Sequence, residues 1–221
     1  MASTVLITGA NRGVGLALAR HYHRAGWQVI GACRAGSDEL AEVASRVIDG
    51  IDVTREADVA RLAESLADQP LDLLINNAGM LHDESLGELD FDAIRAQMEI
   101  NAYAPLRVTE ALLPRLGEGA KIANITSRMG SIADNDSGGR YGYRASKAAL
   151  NAFGKSLAVD LAPRGIAVAQ LHPGYVQTRM VNFGGLISPE EAADGIAARL
   201  EALTLATSGG FWHSNGETLP W

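Results

Sequence analysis

Several features that whole classes of protein depend on are scarce in this chain of 221 residues. Cysteine occurs once, at Cys33, so no intrachain disulfide can form and no thiolate cluster is available to hold a metal. No stretch approaches the roughly 18 apolar residues of a membrane-spanning helix, and the first residues lack the basic and long apolar regions of a secretory signal. We therefore expect a soluble, cytoplasmic protein with no metal and no membrane contact.

Positive charge is also in short supply. The chain has 19 Lys and Arg against 26 Asp and Glu, which gives a formal net charge of -7. Nucleic-acid surfaces need clustered Lys and Arg, so no nucleic-acid partner is expected. A small anionic ligand remains compatible with this composition.

Apolar residues are abundant, at 47% of the chain, and they fall into short runs separated by helix-like patterns. We found no linker, repeat or low-complexity tract, so residues 1–221 are predicted to form a single domain. The alternation predicts an α/β Rossmann fold, with a doubly wound, mostly parallel seven-stranded sheet and helices on both faces. Strands are expected at residues 4–8, 27–33, 47–51, 71–75, 120–126, 165–172 and 210–213, and helices over residues 37–46 and 55–68 on either side of the third strand.

The first predicted strand runs directly into a glycine-rich loop and then a helix. Gly9, Gly13 and Gly15 would let the backbone approach a pyrophosphate, and the free N–H groups at the helix start would attract it. The spacing differs from the common G-x-G-x-x-G fingerprint, and a glycine turn without a ligand is the alternative.

Basic residues occur in the glycine loop and after the second predicted strand, the two segments that would lie near the adenosine ribose of a bound dinucleotide. NAD-selective sites usually have Asp or Glu after the second strand, whereas this chain has Cys33 and then Arg34. Arg34 and Arg12 could hold a 2'-phosphate, which favours NADP(H), or they could be two solvated surface residues. After the third strand, Asp52 and Val53 could contact an adenine, or Asp52 could serve only the entry to the next helix.

A tyrosine and a lysine lie four positions apart in a predicted helix over residues 141–161. This spacing places Tyr143 and Lys147 on one helix face, where an ammonium would favour the phenolate of the tyrosine. Ser127 follows the fifth strand, so its hydroxyl should emerge at the carboxyl edge of the sheet, where ligands bind. Asn101 interrupts a helical pattern over residues 89–114, which indicates a kink or a bound water, although composition alone favours an ordinary helical asparagine.

Together, these motifs resemble the short-chain dehydrogenase/reductase family from Thr4 to the C-terminus. The C-terminal residues 210–221, the brief substrate loop and Ser127-Arg-Met-Gly-Ser131 look more like its sniffer and C-factor branch. The resemblance implies that Asn101, Ser127, Tyr143 and Lys147 form a catalytic tetrad. It also implies that Asn76-Asn-Ala-Gly79 stabilises the sheet. The cofactor residues expected from the pattern and the resemblance are Gly9, Asn11, Arg12, Gly13, Val14, Gly15, Arg34, Asp52, Val53, Asn77, Ala78, Gly79, Tyr143, Lys147, Pro173, Gly174, Val176 and Thr178.

The implied activity is hydride transfer between NADP(H) and a carbonyl or alcohol substrate. Tyr143 would transfer the proton, Ser127 would bind the substrate oxygen, Lys147 would lower the Tyr143 pKa and hold the nicotinamide ribose, and Asn101 would position a relay water. Members of this branch are carbonyl reductases or developmental signalling proteins, so a nucleotide-binding signalling protein is an alternative. NAD-dependent alcohol oxidation is another.

The resemblance also implies a homodimer or homotetramer, assembled through helices near residues 101–117 and 141–161. The stretch between Ser127 and Tyr143 is longer than in most of the family, which affects the expected shape of the substrate entrance but not the expected chemistry. An apolar lining is expected there from Met129, Tyr175, Met180 and Phe183, with Tyr141 as a wall residue.

Overall fold

A seven-stranded sheet forms the centre of the computed structural model, which describes residues 2–221. The strand order is β3-β2-β1-β4-β5-β6-β7, and within these residues every pairing between strands is parallel. The order reverses between β1 and β4, which creates the crevice where such sheets bind ligands. The strands are β1 (Thr4–Thr8), β2 (Gln28–Ala32), β3 (Arg46–Ile48), β4 (Leu71–Asn76), β5 (Leu116–Ile125), β6 (Ala167–His172) and β7 (Phe211–His213).

Helices cover both faces of this sheet. Consecutive strand residues point to opposite sides, so Val5 and Ile7 join one apolar cluster with α1 and α7, while Leu6 joins the other with α3, α5 and α6. Within residues 2–221, no helix is both long and apolar enough to cross a membrane. The helices are α1 (Gly13–Arg24), α2 (Asp38–Ala41), α3 (Glu56–Ser65), α4 (Phe91–Met98), α5 (Ala104–Leu112), α6 (Tyr141–Leu161) and α7 (Pro189–Ala202).

All seven predicted strands are present, but three segments differ in length from the sequence pattern. The strand expected over residues 120–126 is the longer β5, which begins at Leu116. The helix expected over residues 37–46 is the single turn α2, because Leu40 is its only buried side chain and the chain must return to pair Arg46 with Ile30. The expected strand over residues 47–51 is the shorter β3.

The helical region containing Asn101 is interrupted. Between α4 and α5, residues Glu99–Tyr103 form a π-helical turn. Such turns insert one residue into a helix and are frequent at functional sites. Asn101 in this turn lies against Gly79 and Met80, which follow β4, so the fold places it at the carboxyl edge of the sheet.

Candidate active site

The loop of residues 9–15 between β1 and α1, here called the cofactor loop, requires its glycines for two different reasons. Gly9 and Gly13 have φ values of +65° and +55°, which side-chain-bearing residues adopt with strain. Gly15 lies so close to the loop that an added Cβ would stand 2.3 Å from the Gly9 carbonyl oxygen and 2.5 Å from Asn77 Nδ2. The loop is therefore a tight backbone cradle at the start of α1.

Hydrogen bonds from the end of β4 fix this cradle in place. The Thr8 hydroxyl accepts from the backbone N–H groups of Asn77 and Ala78 at 3.0 and 3.1 Å. Asn77 Nδ2 in turn donates to the carbonyls of Thr8 and Gly9 at 3.0 and 3.1 Å. The Asn-Asn-Ala-Gly turn thus holds the cofactor loop. Thr8 is absent from the predicted cofactor residues. Its place at the end of β1, directly before Gly9, was the available signal.

Arg12 and Arg34 are both exposed near this loop. Asn11 Nδ2 donates to the Ala35 carbonyl at 2.9 Å, which joins the cofactor loop to the segment after β2. Burial acts to raise the pKa of Asp52, but hydrogen bonds from Thr54 and the positive charges of Arg34 and Arg55 outweigh it, so that the pKa is lowered. Arg12 and Arg34 are therefore accessible to an anion that approaches the cofactor loop.

Asp52 has a visible structural role. Its Oδ1 accepts from the backbone N–H and the hydroxyl of Thr54 at 3.0 and 2.7 Å, which shapes the entry to α3. Of the two alternatives, the helix-entry role is observed, and contact with an adenine stays a prediction. Val53 is buried and lines a narrow cleft with Thr8 and Ala78.

Ser127, Tyr143 and Lys147 come together at the carboxyl end of β5. Ser127 follows β5, Tyr143 lies in the first turn of α6, and Lys147 lies one turn later on the same face. Their exposed fractions are only 6%, 8% and 5%. Lys147 Nζ donates to the Ile125 carbonyl at 2.9 Å and stands 5.8 Å from the centre of the Tyr143 ring.

Burial has the largest influence on the pKa values of Tyr143 and Lys147. It raises the pKa of Tyr143 above its usual value of 10.0, although the neighbouring Ser127 hydroxyl and the Arg140 charge lower it. Burial also lowers the pKa of Lys147 from 10.5 to about 7. Near neutral pH, Tyr143 is consequently a protonated donor and Lys147 is only partly charged. The groups that here favour the phenolate are Ser127 and Arg140, whereas the sequence pattern suggested Lys147.

Asn101 is completely buried, and its side chain is engaged. Nδ2 donates to the Met80 carbonyl at 2.8 Å and to the Ser146 hydroxyl at 3.0 Å, while Oδ1 accepts from the Met80 N–H at 2.9 Å. Both amide hydrogens are used, so the carboxamide could bind a water only through Oδ1. The side chain ties the segment after Gly79 to α6, and the water relay stays a prediction.

The segment after β6 closes the site from the other side. Gly174 has a φ of +96°, and Val176 is buried and bridges to Ile187. The Thr178 methyl lies 3.4 Å from the position that a Gly13 Cβ would occupy, so this segment reaches the cofactor loop. Pro173 begins the segment directly after His172, the last residue of β6.

The sequence predicts an apolar substrate entrance, and most of the residues expected to line it are exposed. We call it the substrate mouth and define it as Met129, Tyr141, Tyr175, Met180 and Phe183. The last four are 41–64% exposed. Arg140 also lies at this entrance, where its Nη1 contacts Met129 Sδ at 3.7 Å and its Nε pairs with Asp83. Sequence reasoning missed Arg140, and no motif marks it.

Comparison with known proteins decides the family. The short chain dehydrogenase model matches residues 3–184. The chain belongs to this family. It is 44% identical over 225 residues to 1-hydroxy-2-glutathionyl-2-methyl-3-butene dehydrogenase of Rhodococcus sp. (strain AD45), covering 99% of this chain and 100% of that protein. It is 41% identical over 162 residues to C-signal of Myxococcus xanthus, covering 72% and 98% of the two chains.

Solved structures of family members have the same fold over the whole length of this chain. The NADPH-bound carbonyl reductase from chicken fatty liver has a TM-score of 0.89 at 30% identity, covering 100% of this chain and 99% of that one. The carbonyl reductase Sniffer of D. melanogaster has a TM-score of 0.90 at 30% identity, covering 100% of both chains. The resemblance to the sniffer and C-factor branch is thereby confirmed. The chain is a short-chain oxidoreductase that uses a nicotinamide cofactor and acts on alcohol or carbonyl groups.

Proposed function

We propose that the protein is an NADP(H)-dependent oxidoreductase of carbonyl reductase type, in which Tyr143 transfers the proton. The observation that carries this proposal is the convergence of Ser127, Tyr143 and Lys147, all buried, at the sheet edge beside the cofactor loop. A phenol, a hydroxyl and an ammonium in one buried group suit a reaction in which a carbonyl oxygen gains a proton.

The residues present fit the cofactor. The cofactor loop leaves no space for side chains at Gly9 and Gly15, as a loop that follows a pyrophosphate requires. Exposed Arg12 and Arg34 suit a 2'-phosphate, and each charge-assisted bond to phosphate contributes about 1.5 to 3 kcal/mol. When bound, the nicotinamide supplies the hydride for a carbonyl carbon or accepts it from an alcohol.

Each member of the tetrad has a distinct part in the proposed reaction. Tyr143 is protonated near neutral pH because burial raises its pKa, so it can donate to a carbonyl oxygen. Ser127 donates to the same oxygen and stabilises its developing charge. Lys147 holds the ribose of the nicotinamide, and Asn101 keeps the segment at Met80 against α6.

The decisive experiment follows cofactor absorbance with NADPH and NADH against aldehydes, ketones and quinones, using Tyr143→Phe as the comparison. We expect NADPH oxidation by the wild type, a loss of roughly 100-fold or more in Tyr143→Phe, and unchanged NADPH binding. Equal turnover in the two proteins would refute the role of Tyr143.

Cofactor preference has its own test. Arg34→Asp should shift the preference from NADPH toward NADH, by about 10-fold or more, because it replaces an attraction for the 2'-phosphate with a repulsion. Arg24→Asp makes the same charge change at the far end of α1 and should have no effect. An unchanged preference in Arg34→Asp would show that this arginine does not contact the phosphate.

Two other functions have specific support. The Rhodococcus relative is named a dehydrogenase, which favours alcohol oxidation, so the assay should also be run with NADP⁺, NAD⁺ and primary and secondary alcohols. The similarity to C-signal favours a signalling protein that binds nucleotide with incidental turnover. Tight NADPH binding without turnover on any substrate would favour the signalling function.

We also propose a homodimer or homotetramer that packs through α5 and α6. Exposed Tyr103, directly before α5, and Val159, Ala145 and Ala152 on α6 form an outward face that a second copy could cover. Ala152→Arg should then yield a monomer in light scattering. A wild type that is monomeric at micromolar concentration would contradict this assembly.

A further inference from the structure

Glu84 is a buried carboxylate, and it has no part in the proton transfer proposed above. It lies between β4 and α4, and its side chain is completely inaccessible to solvent. An isolated buried carboxylate is strongly unfavourable, so its partners are informative. They lie on two helices that meet beside the catalytic centre.

The first partner is the start of α6. Glu84 Oε2 accepts from the backbone N–H of Gly142 at 3.2 Å, and the Glu84 carbonyl accepts from the N–H of Arg140 at 2.9 Å. The helix lacks a side-chain cap of its own, since Arg140 precedes it in a left-handed conformation with φ +50°. A carboxylate at this position stabilises the free N–H groups and the positive end of the helix dipole. Glu84 therefore supplies the missing cap from a distant part of the chain.

The second partner is Gln97 of α4, which is also completely buried. Its Nε2 donates to Glu84 Oε1, and its Oε1 accepts from the backbone N–H of His82 at 2.9 Å. The His82 contact fixes which end of the amide faces the carboxylate. Because each donor meets an acceptor, the network has one preferred arrangement.

There is no free space around these groups. A Cβ at Gly142 would stand 2.6 Å from Gln97 Nε2 and 2.8 Å from Glu84 Oε1. The residue after Gly142 is Tyr143, so a shift of this network is passed directly to the tyrosine. A misplacement of about 1 Å at a reacting group can cost about 100-fold in rate.

We propose that Glu84 and Gln97 are positioning residues that hold the first turn of α6, and with it Tyr143, in the reactive geometry. The proposal rests on the proposed function only for its effect on turnover. The hydrogen-bond network itself can be tested without a substrate.

The experiment exchanges the two side chains. Glu84→Gln places an N–H against the N–H of Gly142 or Gln97, and Gln97→Glu places two carboxylates face to face. The double variant restores a donor and an acceptor to every contact. Each single variant should lose about 10-fold or more in kcat, with KM and NADPH affinity changed less than about 2-fold, and the double variant should recover most of the loss. Glu88→Gln, an exposed change of the same kind nearby, should be neutral.

Hydrogen exchange at residues 141–143, measured by mass spectrometry, supplies a readout independent of turnover. Exchange should be faster in Glu84→Gln and return toward the wild-type rate in the double variant. Unchanged exchange, or single variants with wild-type kcat, would overturn the proposal. So would losses in kcat that the double variant does not recover while its stability is normal. If the wild type has no turnover, the proposed function fails, and the exchange data alone decide whether the network holds α6.

Discussion

The cofactor loop and the substrate mouth lie on the same edge of the sheet but are built in opposite ways. In the cofactor loop, Gly15 has no space for a side chain, the Thr8 hydroxyl accepts from two backbone N–H groups, and Asn77 Nδ2 donates to two backbone carbonyls. In the substrate mouth, Met180 and Phe183 are 45% and 64% exposed. One region is fixed by backbone geometry, and the other presents side chains that contact little.

This difference suggests that the two regions respond differently to substitution. Changes in the cofactor loop disturb packed backbone, so they should affect folding and cofactor binding together. Changes in the substrate mouth should alter substrate selectivity and leave the fold intact. The following experiments test this division.

The largest effect is expected from Gly15→Ala. The new Cβ would overlap the Gly9 carbonyl and Asn77 Nδ2, so the loop must shift. A strain of about 3 kcal/mol corresponds to about 100-fold in NADPH affinity, which fluorescence titration measures, together with a lower melting temperature. Gly117→Ala adds the same atom where nothing lies within 4 Å and should behave as the wild type. Similar behaviour of the two variants would refute the tight cradle.

A matched pair in β1 should give the next largest effect. Thr8→Val leaves the half-buried N–H groups of Asn77 and Ala78 without an acceptor and should cost about 2 kcal/mol of unfolding free energy. Thr4→Val is equally buried but removes only one contact, from the Gln69 side chain at 3.3 Å, and should cost about 1 kcal/mol or less. Urea unfolding measures both. Equal losses would mean that Thr8 has no special role in holding the cofactor loop.

The contrast between these regions also explains what the sequence could reveal. Local patterns identify the strand, glycine loop and helix around Gly9 and the Tyr143–Lys147 spacing, because each depends on neighbouring residues. Asn101 stood out because Asn is a modest helix former, but composition alone favoured an ordinary helical asparagine over a kink. All seven strands were predicted because each short apolar run is also a local pattern of neighbouring residues.

Contacts between distant residues left no such signal. Glu84 lies 58 positions from Gly142, and nothing in its neighbourhood distinguishes it from a surface acid. Burial likewise determines that Lys147 has a pKa of about 7, and burial depends on the packed fold. The length of α2 depends on where β3 pairs with β2. The sequence pattern of residues 37–46 alone therefore predicted a helix that is too long.

Lys147 gives a pH-dependent prediction. In the folded protein its pKa is about 7, against 10.5 unperturbed, so between these values the unfolded chain binds more protons and wild-type stability rises with pH. Lys147→Met avoids the buried charge. Its stability relative to the wild type should be greatest at pH 7 or below and should decline by about 2 kcal/mol by pH 9. Thermal unfolding of both proteins across this range measures the difference, and a difference independent of pH would contradict the burial argument.

The smallest effect on stability is expected in the substrate mouth. Phe183→Ala removes a side chain that is 64% exposed, so the unfolding free energy should change by no more than about 0.5 kcal/mol, and NADPH affinity should not change. KM should change several-fold, by different factors for aromatic and small aliphatic carbonyls, because apolar contact is lost with the larger substrates only. Leu205→Ala, which is 50% exposed and distant from the site, is the matched control and should alter neither quantity. If Phe183→Ala lowered NADPH affinity as strongly as Gly15→Ala, the division between a backbone-built cofactor loop and a side-chain-built substrate mouth would be wrong, because Phe183 would then belong to the cofactor site.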